Sequence, residues 1–142
     1  MQSQRTVVGM LVWESGYSVG VKLLDDQHKE MVTYINELEA ALHGIRPKPL
    51  TLAVLKGLLK LTKDHFTDEE RLCDAAGYTG LSEHRSEHKE LLAELNKLIS
   101  QYEQGDDLSS IGVVHFMSDW VITHINDSDK KYMPALAAHG IQ

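Results

Sequence analysis

The chain contains one cysteine, Cys73, in 142 residues. No intramolecular disulfide can form, and a zinc site built from several cysteines is excluded. Prolines number only three, and together with the glycines they cluster at a few places, leaving long stretches without a helix breaker. No apolar run approaches the roughly 20 residues that cross a bilayer, so membrane insertion is not expected. The N-terminal segment carries one arginine and a short apolar patch interrupted by Gly9; it reads as part of a mature, cytoplasmic protein rather than a signal peptide. Basic residues are also short: 14 Lys and Arg stand against 21 Asp and Glu, a net charge of −7. With no basic stripe to neutralise phosphates, nucleic acid is not an expected partner. The length suits one domain, residues 1–142, that buries a core of its own.

Histidine is present in excess, with eight residues in an acidic chain. Leu, Glu, Lys and Ala dominate the remainder and favour helices. Loop signals at "HGIRPKP" (43–49), "AAGYTGLS" (75–82) and "EQGDDLSS" (103–110) divide the chain, with Gly44, Gly77 and Gly105 placed as helix stops and Pro134 closing the last segment. Four helices are predicted over about 25–43, 50–74, 82–103 and 110–132, preceded by an arm over 1–24. Short connections between four helices of similar length imply an all-α, up-down-up-down antiparallel four-helix bundle.

The apolar spacing places the histidines. Leu24, Met31, Ile35, Leu38 and Leu42 form a stripe whose gap is His28. Leu55, Leu58, Thr62 and Leu72 form the second, with His65 and Glu69 in its gaps. Leu81, Leu91, Leu95, Leu98 and Tyr102 run through His84 and His88, and Val114, Met117 and Val121 lead to His124. Such seams face a bundle interior. One inward histidine is ordinarily a satisfied core residue. Five histidines and a glutamate buried without partners would cost several kcal/mol, and a metal centre satisfies them together. Antiparallel packing also brings the relevant helix ends to one side of the bundle. Five imidazoles exceed the needs of one ion, and two ions sharing bridging carboxylates use the set more naturally. Imidazole suits iron, zinc, copper or nickel, so the ligand type does not choose the metal. By spacing, Asp127 or Asp129 could serve; Asp129 lies about 140° around an ideal helix from His124 and needs a distorted helix to reach the centre.

The pieces "LLDDQHKEM" (23–31), "HFTDEE" (65–70), "HRSEH" (84–88) and "WVITHINDSD" (120–129), with Trp13 in the arm, follow one another in an order and spacing that resembles the bacterial hemerythrins over nearly the whole chain. These are non-haem di-iron, oxygen-binding four-helix bundles. The resemblance implies two iron ions joined by an oxo or hydroxo bridge. It implies that His84, His88 and His124 hold one iron, that His28 and His65 hold the other, and that Glu69 and Asp129 bridge them. It selects Asp129 over Asp127 and implies that the distortion exists. Oxygen is the implied ligand, bound at an open position on the two-histidine iron, and the implied role is transport, storage or delivery, with an oxidase as a recipient.

No Glu-x-x-His occurs in the chain, which separates it from the ferritin-like di-iron proteins and their carboxylate-rich shells. A histidine-rich shell supports high-valent iron poorly, so reversible binding is expected rather than enzymatic cleavage of oxygen. Phe66, Trp120, Val121 and Ile125 are candidates for an apolar wall around the oxygen position, with core packing as the plain alternative. Asp25 and Gln27 are candidate partners of His28, Asp25 equally a cap of the first helix. Cys73, one turn after Glu69, reads as inert packing. His43, His115 and His139 read as surface residues. Three other readings compete: an oxygen- or redox-sensing domain fused to a signalling module, a di-iron oxidase or peroxidase, and a closed structural zinc bundle. The last leaves surplus ligands unexplained.

Overall fold

The structure is a computed structural model that describes residues 11–43, 47–105 and 110–142, with the backbone alone at 42–43 and 110–114. The expected stop at Gly44, the inward placement of Leu42 and Val114 and the surface placement of His43 lie outside what is described. Four long helices form the bundle: α1 (Lys22–His43), α2 (Lys48–Ala75), α3 (Leu81–Glu103) and α4 (Ser110–Thr123). A π-helical turn (His124–Ser128), a 3₁₀ turn (Asp129–Tyr132) and a short α5 (Met133–Ala138) follow. No strand occurs among the described residues. The backbones of α1 and α2, of α2 and α3 and of α1 and α4 run in close contact, whereas α3 and α4 stand further apart.

The stripes become the core. Leu24, Met31, Ile35 and Leu38 of α1, Leu55 and Leu58 of α2, Leu91 and Leu95 of α3, and Met117 and Val121 of α4 are all buried. Each such side chain contributes about 1.5–3 kcal/mol of transfer free energy. The stripe differs from expectation at three points: Leu72, Leu98 and Tyr102 are half-buried, and beside the first two Cys73 and Ile99 take the inward positions. A 3.6-residue period drifts against alternating three- and four-residue steps, so the inward position moves by one residue over a long helix.

Helix α1 begins three residues before its expected start, because Asp25 does more than cap. Its carboxylate accepts hydrogen bonds from the Val19 amide (2.8 Å) and the Ser18 hydroxyl (2.6 Å), which ties the arm to the first turn. Asn36 clamps the arm further along, exchanging two hydrogen bonds with the backbone of Leu11, each 2.8 Å. Helix α2 ends in a Schellman motif. Gly77 takes φ +67°, its amide bonds the Asp74 carbonyl, and the Tyr78 amide bonds that of Cys73. Pro134 does not close the fourth segment as expected; it sits in the first turn of α5, where its missing N–H costs nothing.

Candidate metal centre

Helix ends assemble the site. The first turns of α1 supply His28, the last turns of α2 supply His65 and Glu69, the start of α3 supplies His84 and His88, and the π turn after α4 supplies His124 and leads to Asp129. All seven side chains are at most 6% exposed. They form two overlapping groups, Glu69, His84, His88, His124 and Asp129, and His28, His65, Glu69 and Asp129, with the ligand-type atoms of each group within 4.8 Å of one another.

The π turn resolves the difficulty over Asp129. The amide of Asp129 bonds the carbonyl of His124 five residues back. The wider turn takes more residues per revolution, which returns Asp129 to the His124 face. His124 Nε2 lies 3.0 Å from Asp129 Oδ1. Asp127 is exposed and points elsewhere.

The two carboxylates divide their oxygens between the groups. Glu69 Oε1 lies 2.6 Å from His84 Nε2 and 2.9 Å from His88 Nε2, while its Oε2 lies 3.2 Å from His65 Nε2. Asp129 Oδ1 is 3.1 Å from His84 Nε2, and its Oδ2 is 3.1 Å from His28 Nε2. Many of these contacts lack hydrogen-bond directionality. Nε2 of His88 and His124 and both oxygens of Asp129 are buried with no hydrogen-bond partner among the described residues. Orphaned polar atoms in a dry interior are costly. His28 Nδ1 is orphaned on the far side of its ring, but these four atoms face a common centre, as lone pairs aimed at cations do, so the donor set fits a pair of metal ions.

A second ring of side chains fixes the imidazoles. His65 Nδ1 donates to Gln27 Oε1 (2.7 Å) and His88 Nδ1 to Glu70 Oε2 (2.8 Å), and His124 Nδ1 pairs with Glu87 Oε1 at 2.9 Å. Each such bond holds the proton on Nδ1 and leaves Nε2 free to ligate. Gln27 therefore supports His65, whereas the sequence suggested His28. Gln27 is itself held by Asp68 (2.8 Å), Glu70 by Arg85 (3.1 Å) and Glu87 by the Ser128 hydroxyl (2.6 Å). Sequence reading missed Glu70, Glu87 and Tyr132. The Tyr132 hydroxyl donates to Glu69 Oε2 at 2.9 Å. Glu87 was legible in part, standing three residues after His84, but Tyr132 reaches the site only through the π turn.

Burial opposes the charge on Glu69, yet the surrounding His65, His84 and His88 outweigh it and hold the carboxyl well below the usual range. Asp129 is likewise lowered, burial and the Glu69 charge being overcome by the close imidazoles of His124, His28 and His84. Burial works against protonation of His84, but Asp129 and Glu69 raise it to about 10. His28 is raised as well, the nearby Asp129 and Glu69 carboxylates prevailing over burial. Burial wins at His65 and lowers it. Burial, with the nearby Glu69 charge, pushes the Cys73 thiol up to about 12, which matches its reading as inert packing.

Phe66, Val121 and Ile125 are buried beside the site, and Trp120 is half-buried. Phe66 has ring contacts with both groups: 5.8 Å to His65 and a parallel stack at 3.6 Å on His88. Trp120 stacks on His124 at 4.3 Å and 14°, so it stands on the three-histidine side rather than over the pair His28 and His65. That pair is covered by the arm, where Trp13 lies 6.4 Å from His28. His115 and His139 are exposed, as expected.

An antiparallel bundle carrying two histidine groups that share two buried carboxylates defines a metal-binding helical protein with a paired site. Residues 19–136 match the hemerythrin HHE cation binding domain, and the chain belongs to the hemerythrin family. It is 29% identical over 126 residues to a bacteriohemerythrin of Pseudomonas aeruginosa, covering 89% of this chain and 81% of that one. It is 31% identical over 121 residues to myohemerythrin-1 of Phascolopsis gouldii, covering 85% and 90%. A crystal structure of wild-type hemerythrin superposes with a TM-score of 0.85 at 26% identity, over 90% of this chain and 98% of that one. No helix among the described residues is long and apolar enough to cross a membrane.

Proposed function

We propose that this protein binds O2 reversibly at two non-haem iron ions. His84, His88 and His124 hold one, His28 and His65 hold the other, and Glu69 and Asp129 bridge them together with an oxo or hydroxo group. The observation that carries this reading is the division of each buried carboxylate, one oxygen toward each histidine group. When bound, the iron pair supplies the electrons that an oxygen molecule takes up and gives back.

The protein's own groups keep that exchange reversible. Five imidazoles against two carboxylates donate little charge, which disfavours the high-valent iron that oxygen cleavage requires. The Nδ1 contacts to Gln27, Glu70 and Glu87 keep the rings of His65, His88 and His124 in one tautomer and orientation. Phe66, Val121 and Ile125 keep water from the interior, with Phe66 between the two groups, and Trp120 and Trp13 close the flanks. The Tyr132 hydroxyl holds its proton against Glu69 Oε2; burial first, then the Glu69 charge, keeps that phenol far from ionising. Transport, storage or delivery of oxygen to an oxidase in the cytoplasm is the role that follows.

The absorption spectrum tests the proposal. Protein purified in air is reduced under argon and then returned to oxygen. Near-ultraviolet and visible charge-transfer bands should bleach and return as a distinct oxygenated spectrum that reverses under argon. Immediate return to the original oxidised spectrum would favour an oxidase or sensor, and a colourless protein after iron reconstitution would revive the zinc bundle.

A further inference from the structure

The open seam between α3 and α4 carries a feature that oxygen binding does not use. Two cavities of about 450 and 490 Å³ lie along it and share Phe116 and Trp120 as lining. The first reaches His124 and Ser128 at the metal centre, and the second continues along α3 past Leu91 and Ala93. The two make one apolar groove about a half-buried indole. Its rim is acidic: Glu87, Asp119 and Asp127 border one half and Glu90 and Glu94 the other, with Lys97 the basic residue among the lining side chains.

We propose that this groove is the docking face for a basic one-electron carrier protein. The proposal rests on the di-iron reading, because an iron pair that has lost its electrons cannot bind oxygen again until an external donor restores them. In each encounter the reduced donor loses one electron and the centre gains one, so two encounters restore an oxidised pair. Three observations select this face. The Trp120 ring lies parallel to that of His124 at 4.3 Å, placing a conjugated group between the groove and a ligand position. The acidic rim complements a carrier whose exposed prosthetic group is ringed by lysines, and the net charge of −7 steers such a partner toward the protein. On the other flank, Trp13 stacks on His28 but carries the Lys29 ammonium 5.6 Å over its ring, which would repel a cationic donor.

The test uses iron-loaded full-length protein and a mitochondrial-type cytochrome c as the probe, a basic carrier with an exposed haem edge. Titration calorimetry at low ionic strength should detect a complex that weakens steeply with salt. The pair Glu90→Lys with Glu94→Lys should raise Kd about tenfold or more. The pair Glu30→Lys with Glu37→Lys changes the net charge equally on exposed positions of α1 and should raise it less than about threefold. Carbodiimide cross-links, which join carboxylates to partner lysines, should map to Glu90, Glu94 and Asp119. Absence of binding by the unmodified protein, equal weakening by the two pairs, or cross-links on α1 would overturn the proposal. Iron content and the charge-transfer bands of the same preparations judge the di-iron reading separately, and far-ultraviolet circular dichroism verifies that the variants fold.

Discussion

Replacing Tyr132 with phenylalanine removes a single oxygen atom from the interior and leaves the ring packing in place. The lost hydroxyl donates to Glu69 Oε2 at 2.9 Å, and both residues are 0% exposed, so no water can take over the bond. A hydrogen bond to a buried charged group contributes about 1.5–3 kcal/mol. Each kcal/mol moves the melting temperature of a domain this size by about 2–4 °C. Taking the effect as ~2 kcal/mol, Tyr132→Phe should lower Tm by about 4–8 °C in metal-free protein, measured by scanning calorimetry. In iron-loaded protein the freed Glu69 oxygen becomes a stronger donor, so the charge-transfer bands should shift as well. Tyr78 provides the control, because its ring meets Tyr132 edge-on at 6.3 Å but the residue is only half-buried. Tyr78→Phe should change Tm by less than about 1 °C, as surface-type substitutions do. Equal shifts in the two variants, or none in Tyr132→Phe, would refute the assignment of the hydroxyl to Glu69.

Asp129→Asn should abolish stoichiometric loading of two irons, whereas Asp127→Asn on the exposed side of the π turn should leave it intact; iron analysis after desalting separates the two. Glu87→Ala removes the acceptor for both His124 Nδ1 and the Ser128 hydroxyl, and competition against a chelator should show metal affinity falling about 10–100-fold. Metal loading should release protons. His84, raised to about 10, is protonated at neutral pH in the metal-free protein and must lose its proton to ligate. Adding ferrous iron to weakly buffered metal-free protein at pH 7 should therefore acidify it, and apparent affinity should rise with pH. The sign for stability is the opposite. The raised imidazole value stabilises the metal-free fold most fully below the unfolded value of about 6.5, and that contribution is lost as pH climbs through about 10.

The part of the site that was legible in the sequence is the part carried by regular helices. His28, His65, Glu69, His84 and His88 fall in the gaps of apolar stripes, and a 3.6-residue period is enough to turn them all inward. Their convergence at one end followed from the alternation of helix directions. The site became obscure where the period breaks. The run from His124 to Tyr132 changes from π to 3₁₀ geometry within nine residues, so spacing alone left Asp127 and Asp129 as alternatives and gave no reason to notice Tyr132. The bonds beyond the ligands were harder still. Gln27 sits beside His28 in the chain but supports His65 across the helix interface, and Glu70 and Glu87 act across interfaces as well. A polar residue on a helix flank reads as solvated until the neighbouring helix is in place.

The π turn makes the backbone geometry of this stretch as constrained as its composition. If the same five residues relaxed to an ordinary α-helix with none removed, everything after them would turn by about 100° relative to His124. Asp129, Tyr132 and Leu136, all inward-facing here, would leave the interior together. A buried carboxylate, the hydroxyl that donates to Glu69 and the apolar anchor of the tail would be lost to one event that changes no side chain. Substitutions at the exposed positions Asn126 and Asp127 are tolerable by comparison, because neither side chain enters the interior.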